Sequence, residues 1–208
     1  MSNNNFFNYS VPLLRRKQKH IPDHEVLGLR RIHWQIGEFI IHTGFYTGID
    51  QACILWSLLI IPMFVTAQFF PMSWTLQAYL WSILSLLGTA MMVNWTQYWV
   101  KIERVSWTLY IWVILMLVGL LLTNLGIFFG RGEILINLCP LWLGLSTLGY
   151  LTTGIAVRSR ALIFVSIFHL LSIFILPHIS EWQFLTTGCV IVSSLLLLAE
   201  FQWDMRSI

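Results

Sequence analysis

Charge is what this chain has least of. Only 10% of its 208 residues are Asp, Glu, Lys or Arg, where a soluble domain carries about 25%. None of the nine acidic residues falls in the interior of the six apolar segments between Gln51 and Glu200. Lipid, rather than water, is the main solvent such a composition suits. The shortage also excludes chemistry. Aspartyl proteolysis within the bilayer needs two buried aspartates, and proton-coupled transport needs ionisable acids inside the spans. An HExxH zinc cluster, a Walker loop, a dinucleotide fingerprint and an EF-hand loop are likewise missing from the sequence. Cys53, Cys139 and Cys189 lie in separate apolar segments without CxxC spacing, which reads as small hydrophobes rather than metal ligands. The net charge of +3 falls where a membrane topology uses it, so no nucleic-acid partner is expected.

What the chain does have is apolar length. A helix needs about 20 apolar residues to cross roughly 30 Å of hydrocarbon. Six segments meet that need, at about 51–70, 74–99, 105–128, 133–157, 161–179 and 182–200. In hydrocarbon only helices and closed barrels satisfy every backbone amide, and uninterrupted apolar runs lack a barrel's alternation. The connections are a few residues long, which forces sequential helices to be antiparallel neighbours. The expected fold is all-α: a polytopic membrane protein with six transmembrane helices in three hairpins over 51–200.

Residues 1–23 are polar and Asn-rich and carry Arg15, Arg16, Lys17 and Lys19. They read as a disordered basic cytoplasmic tail resting on anionic headgroups. Polar residues first and basic residues last is the reverse of signal-peptide order. Over 24–43, Val26, Leu29, Ile32, Ile36 and Ile40 recur at three- and four-residue spacing, with Arg30, Arg31 and Glu38 on the other side. This predicts an amphipathic interfacial helix, bound to the membrane or to a partner protein. Residues 201–208 form a cytoplasmic tail.

Orientation follows from the 12 basic residues. Those before the first span, Lys101, Arg104, Arg158, Arg160 and Arg206 share one side, and Arg131 alone falls on the other. Both termini are therefore expected in the cytoplasm. Trp74 and Trp182 are expected to mark one membrane interface, and Trp99, Trp107 and Trp203 the other. Trp56, Trp81, Trp112 and Trp142 fall deeper and are expected to fill space between helices.

Small residues allow helices in lipid to approach closely. Ser146, Gly149, Thr153 and Ala156 share one face of the fourth segment, and Gly119 and Thr123 lie in the third. Asn124 and Asn137 have matching depths across the intervening turn. Two readings stand: a hydrogen bond between them, or a small outward-facing polar pocket shared with Gln68 and Thr187. Pro140 bears on the second reading, since it frees the carbonyl of Ile136. His169 lies mid-segment between Ser166 and Ser172. It is either a neutral, hydrogen-bonded histidine or an axial ligand to a pigment or haem; no other cofactor and no metal site is indicated.

No catalytic constellation is present, so a non-enzyme is expected. Two function classes fit the sequence. One is a non-catalytic membrane scaffold or assembly subunit that packs against a partner membrane protein or pigment complex. The other is a binding or transport subunit for a neutral or lipophilic solute, with an outward-facing pocket.

Overall fold

The computed structural model describes residues 6–7, 9–17, 30–36 and 39–204. Strand β1 (Leu14–Arg16) is followed by β2 (Arg30–Ile36) and β3 (Phe39–Tyr46). Helices α1 (Gly48–Phe69), α2 (Trp74–Ile102), α3 (Ser106–Phe128), α4 (Gly132–Ile136), α5 (Leu138–Ala156), α6 (Arg160–Ile175) and α7 (Gln183–Glu200) come next, and β4 (Phe201–Trp203) closes the order. Among the described residues, five stretches are long and apolar enough to cross a membrane: α1, α2, α3, α5 and the whole of Arg160–Glu200. The molecule is a helix bundle of the kind found in multi-pass integral membrane proteins.

Each helix begins and ends for a local reason. α1 opens on a capping box, in which Thr47 N–H donates to Asp50 Oδ2 at 2.7 Å and Asp50 N–H donates to Thr47 Oγ1 at 3.3 Å. Ser73 and Ser159 cap α2 and α6 in the ordinary way. Three helix ends share one left-handed turn. Val105 N–H reaches Val100 O, Arg131 N–H reaches Gly126 O and Ser159 N–H reaches Gly154 O, each at 2.9 Å. The residue in positive φ is Arg104, Gly130 or Arg158, which is the six-to-one bond of a Schellman stop.

Two breaks interrupt the expected spans. The fourth segment is split at Asn137, leaving α4 and α5 as separate helices. Pro140 explains this, because its ring clashes with the carbonyl four residues earlier and removes that hydrogen bond. The fifth segment stops at Ile175 rather than 179. Leu176–Trp182, with Pro177 in its first turn, is a 3-10 turn with non-helical backbone at Ile179. Beyond it the chain returns: Asp204, just past α7, bonds to the start of α6, so the two ends of Arg160–Glu200 meet.

α1 makes its broadest contact with α7, and α5 packs on α3, α6 and α7. α5 is the least apolar of the five stretches and also the most buried. A helix enclosed by others does not have to be lipophilic. α6 is peripheral and leans chiefly on α5.

The segment before α1 corrects the expectation of a surface helix over 24–43. Arg30–Ile36 pairs antiparallel with Phe39–Tyr46, from Arg30 opposite Tyr46 to Ile36 opposite Phe39, with an irregularity between Trp34 and Gln35. Over 31–36 the sequence alternates polar and apolar at every step. That period of two is a strand signal, and here it overrode the three- and four-residue spacing. Residues 24–29 lie outside the described residues. The described part of the N-terminal tail also differs from the expected disorder. β1 pairs antiparallel with β4, placing Leu14 opposite Trp203 and Arg16 opposite Phe201.

Candidate functional site: an apolar cavity at the basic end of the bundle

The bundle encloses a cavity of about 160 Å³. Its wall comes from α1, α2, α3, α5 and α7, with Leu162 of α6 and Trp203 of β4. These residues lie toward the bundle end that carries Lys101, Arg104, Arg158 and Arg160. Ile49, Trp99, Val100, Leu198 and Trp203 line it at that end, and Met63, Ser85 and Trp142 line the deep end.

The wall is built from aromatic rings seated on small residues. A Cβ at Gly149 would lie 2.5 Å from the Trp112 ring, and one at Gly119 would lie 2.9 Å from the Trp142 ring. Gly88 faces the Trp56 ring at 3.2 Å in the same sense. Trp112 is pinned further, because its indole N–H donates to Thr153 Oγ1 at 2.9 Å while Thr153 Oγ1–H donates to Gly149 O at 2.8 Å. The sequence-predicted packing residues Ser146, Gly149, Thr153 and Gly119 therefore work with the tryptophans and not apart from them. Ser146 and Thr153 are in the wall itself. Thr123 is buried with its hydroxyl bonded to Gly119 O at 2.7 Å, and Ala156 packs against the core.

Little polarity is presented to the interior. Thr96 donates to Met92 O and Thr108 to Val105 O, so the backbone consumes their hydroxyl protons. Among the described residues no carboxylate lines the cavity, and no three His, Cys, Asp or Glu side chains gather as a metal site.

The paired chain ends lie at the basic end of the bundle. Lys17 Nζ lies 2.6 Å from Asp50 Oδ2 and 4.3 Å above the Tyr46 ring, and Tyr46 O–H donates to Glu200 Oε1 at 2.9 Å. Asp204, 3% exposed, accepts from Ser159 Oγ at 3.1 Å, Arg160 N at 3.1 Å, Arg160 Nε at 2.7 Å and Ala161 N at 2.9 Å. Arg160 also donates to the carbonyl of Val11. Lys17, expected at headgroups, is thus turned inward, while Arg15 and Arg16 are exposed. Lys19 lies outside the described residues. Arg30 and Arg31 sit in β2, paired with Tyr46 and Phe45.

The polar residues singled out in the sequence lie elsewhere. Asn124 does not meet Asn137: its Nδ2 donates to Ser82 Oγ of α2 at 3.0 Å and to Leu120 O at 2.9 Å. Asn137 is exposed and donates to Glu133 O at 2.8 Å, because the break before α5 turns its side chain onto α4. Gln68 ties α1 to the start of α7 through Glu181 O at 2.8 Å and Leu185 N at 3.2 Å. Thr187 is enclosed beside the Cys139 thiol. None of these four lines the cavity. His169 is fully buried, with Nδ1 2.8 Å from Val165 O and its ring 5.1 Å from that of Tyr150; it stands behind the wall rather than in it. Sequence reasoning missed Ser85, Met92 and Tyr150. Trp99 and Trp203, expected at a membrane interface, both line the cavity, with rings 6.5 Å apart. Trp74, Trp107 and Trp182 are exposed. The chain matches no protein-family model, no curated protein and no solved structure, so the reading of its function stands on this cavity and its surroundings.

Proposed function

We propose that the protein binds a neutral, lipophilic small molecule inside the membrane, without chemically changing it. The aromatic-walled cavity reaching from the basic end to mid-bundle carries this reading. A dry cavity of about 150 Å³ lined by aliphatic and aromatic side chains is large enough to take up benzene. A volume of about 160 Å³ therefore suits one ring or a short stretch of chain, while the rest of a longer ligand trails out of the mouth. The topology we propose is six crossings in three hairpins, α1 with α2, α3 with α4–α5, and α6 with α7. The meeting of Asp204 with Ser159 and Ala161 supports the last hairpin. Both described ends would lie in the cytoplasm, as basic residues favour that side, so the cavity opens inward.

A non-catalytic scaffold or assembly subunit, packed against a partner membrane protein or pigment complex, is the second reading. Peripheral α6 favours it, since Phe164, Leu171 and Phe174 are exposed there. Purification in mild detergent followed by native mass spectrometry separates the two. A single chain carrying a small-molecule adduct, lost when Ser146→Leu puts a larger side chain into the cavity wall, is the expected result. A stoichiometric protein partner with no adduct would favour the scaffold, and neither finding would overturn both.

A further inference from the structure

Among the described residues, two polar groups at the deep end of the cavity have no hydrogen-bond partner. Ser85 Oγ and Trp142 Nε1 are both enclosed and unbonded, and both residues line the cavity. Each departs from its neighbours. Thr89 and Thr96 on the same helix return their hydroxyl protons to the carbonyl four residues earlier, whereas Ser85 does not. The other two deep indoles with assigned bonds donate, Trp81 to Met63 O at 3.2 Å and Trp112 to Thr153 Oγ1 at 2.9 Å, whereas Trp142 does not. Buried donors are almost always satisfied, and an indole N–H can only donate.

We infer that Trp142 Nε1–H and the Ser85 hydroxyl anchor a carbonyl oxygen on the bound molecule, so that the ligand class is an uncharged lipophilic ketone, quinone or ester rather than a plain hydrocarbon. This rests on the cavity being a ligand site. Helices α2 and α5 supply one donor each to the same wall, and a carbonyl oxygen has two lone pairs to offer them. No cation or carboxylate is needed, in keeping with the uncharged wall. Neither atom is open to solvent, so the oxygen reaches them by parting side chains at the deep end rather than by displacing water.

The test uses the full chain in lipid nanodiscs, ¹⁵N-labelled at its indoles, and two probes of matched shape. Acetophenone carries a carbonyl where α-methylstyrene carries a methylene. The Trp142 indole signal is assigned by its loss in Trp142→Phe. Acetophenone is expected to bind about tenfold more tightly than α-methylstyrene at equal membrane concentration and to move the Trp142 N–H signal downfield. Ser85→Ala and Trp142→Phe should each shrink that preference. Equal binding of the two probes with an unmoved Trp142 signal would overturn the anchor and leave the cavity reading intact. Binding of neither probe would overturn the cavity reading and the anchor with it. If Trp142→Phe does not fold, the wild-type comparison and Ser85→Ala still decide.

Discussion

A glycine beneath an indole is a residue-scale device with a measurable signature. At Gly149 an added methyl meets a flat ring whose N–H is already tied to Thr153, so the ring has nowhere to turn. Overpacking of this sort costs about 1–3 kcal/mol. At Gly88 the nearest atom is the far end of Leu59, at 2.7 Å, which can swing away. Gly149→Ala should therefore lower thermal stability more than Gly88→Ala, and Trp112→Leu should recover most of the Gly149→Ala loss. Equal losses at the two glycines would remove the ring from the explanation. Tyr46 offers a second test at this scale. Burial first, and then its bond to Glu200, hold the phenol well above its ordinary titration range. For a group whose folded value is raised, the stabilisation is complete below the unfolded value, about pH 10, and is lost as pH rises through the folded one. Wild-type stability should fall more steeply than that of Tyr46→Phe above about pH 10, read by melting in one detergent across the alkaline range. Parallel curves would clear the phenol.

At the scale of elements, the helix stops are the informative parts. Arg104 and Arg158 hold positive φ near 55°, a conformation that costs an L-residue roughly 1–2 kcal/mol and glycine nothing comparable. Arg104 is exposed, and Arg104→Gly should raise the melting point. Arg158 stacks over the Phe6 ring at 5.1 Å, so Arg158→Gly should gain less. Most of the helical architecture was legible beforehand, because hydrophobic length and short loops leave a chain in lipid few alternatives. Pro140 and Pro177 were visible too, though where their strain is released depends on packing at Asn137 and Ile179. The β2–β3 ribbon was misread because 24–43 carries both a period of two and a helix-like spacing, and its isoleucines serve either. The cavity was the least legible feature. Each deep tryptophan could be placed by depth, but which rings leave a gap depends on which glycine of a neighbouring helix receives them.

The whole molecule is fastened at its basic end. Asp204 has four donors around a carboxylate that is nearly out of solvent, so truncating it strands the Arg160 charge. Losing one partner of such a pair costs about 3–5 kcal/mol. Asp204→Ala should destabilise the protein by about 3 kcal/mol and also loosen β4, and with it Trp203 in the cavity wall. Hydrogen exchange at residues 11–17 and 201–204 should accelerate in this variant while mid-helix amides stay protected; uniform acceleration would instead mean that the entire bundle has opened. The extensive seam between α1 and α7 has a further outcome for biogenesis. Helices enter the bilayer in chain order, so α1 waits through the arrival of five others before its principal mate appears. During that interval the cavity of the finished bundle is an open cleft, and the arrival of α7, with Ile191, Leu195 and Leu198, completes its wall.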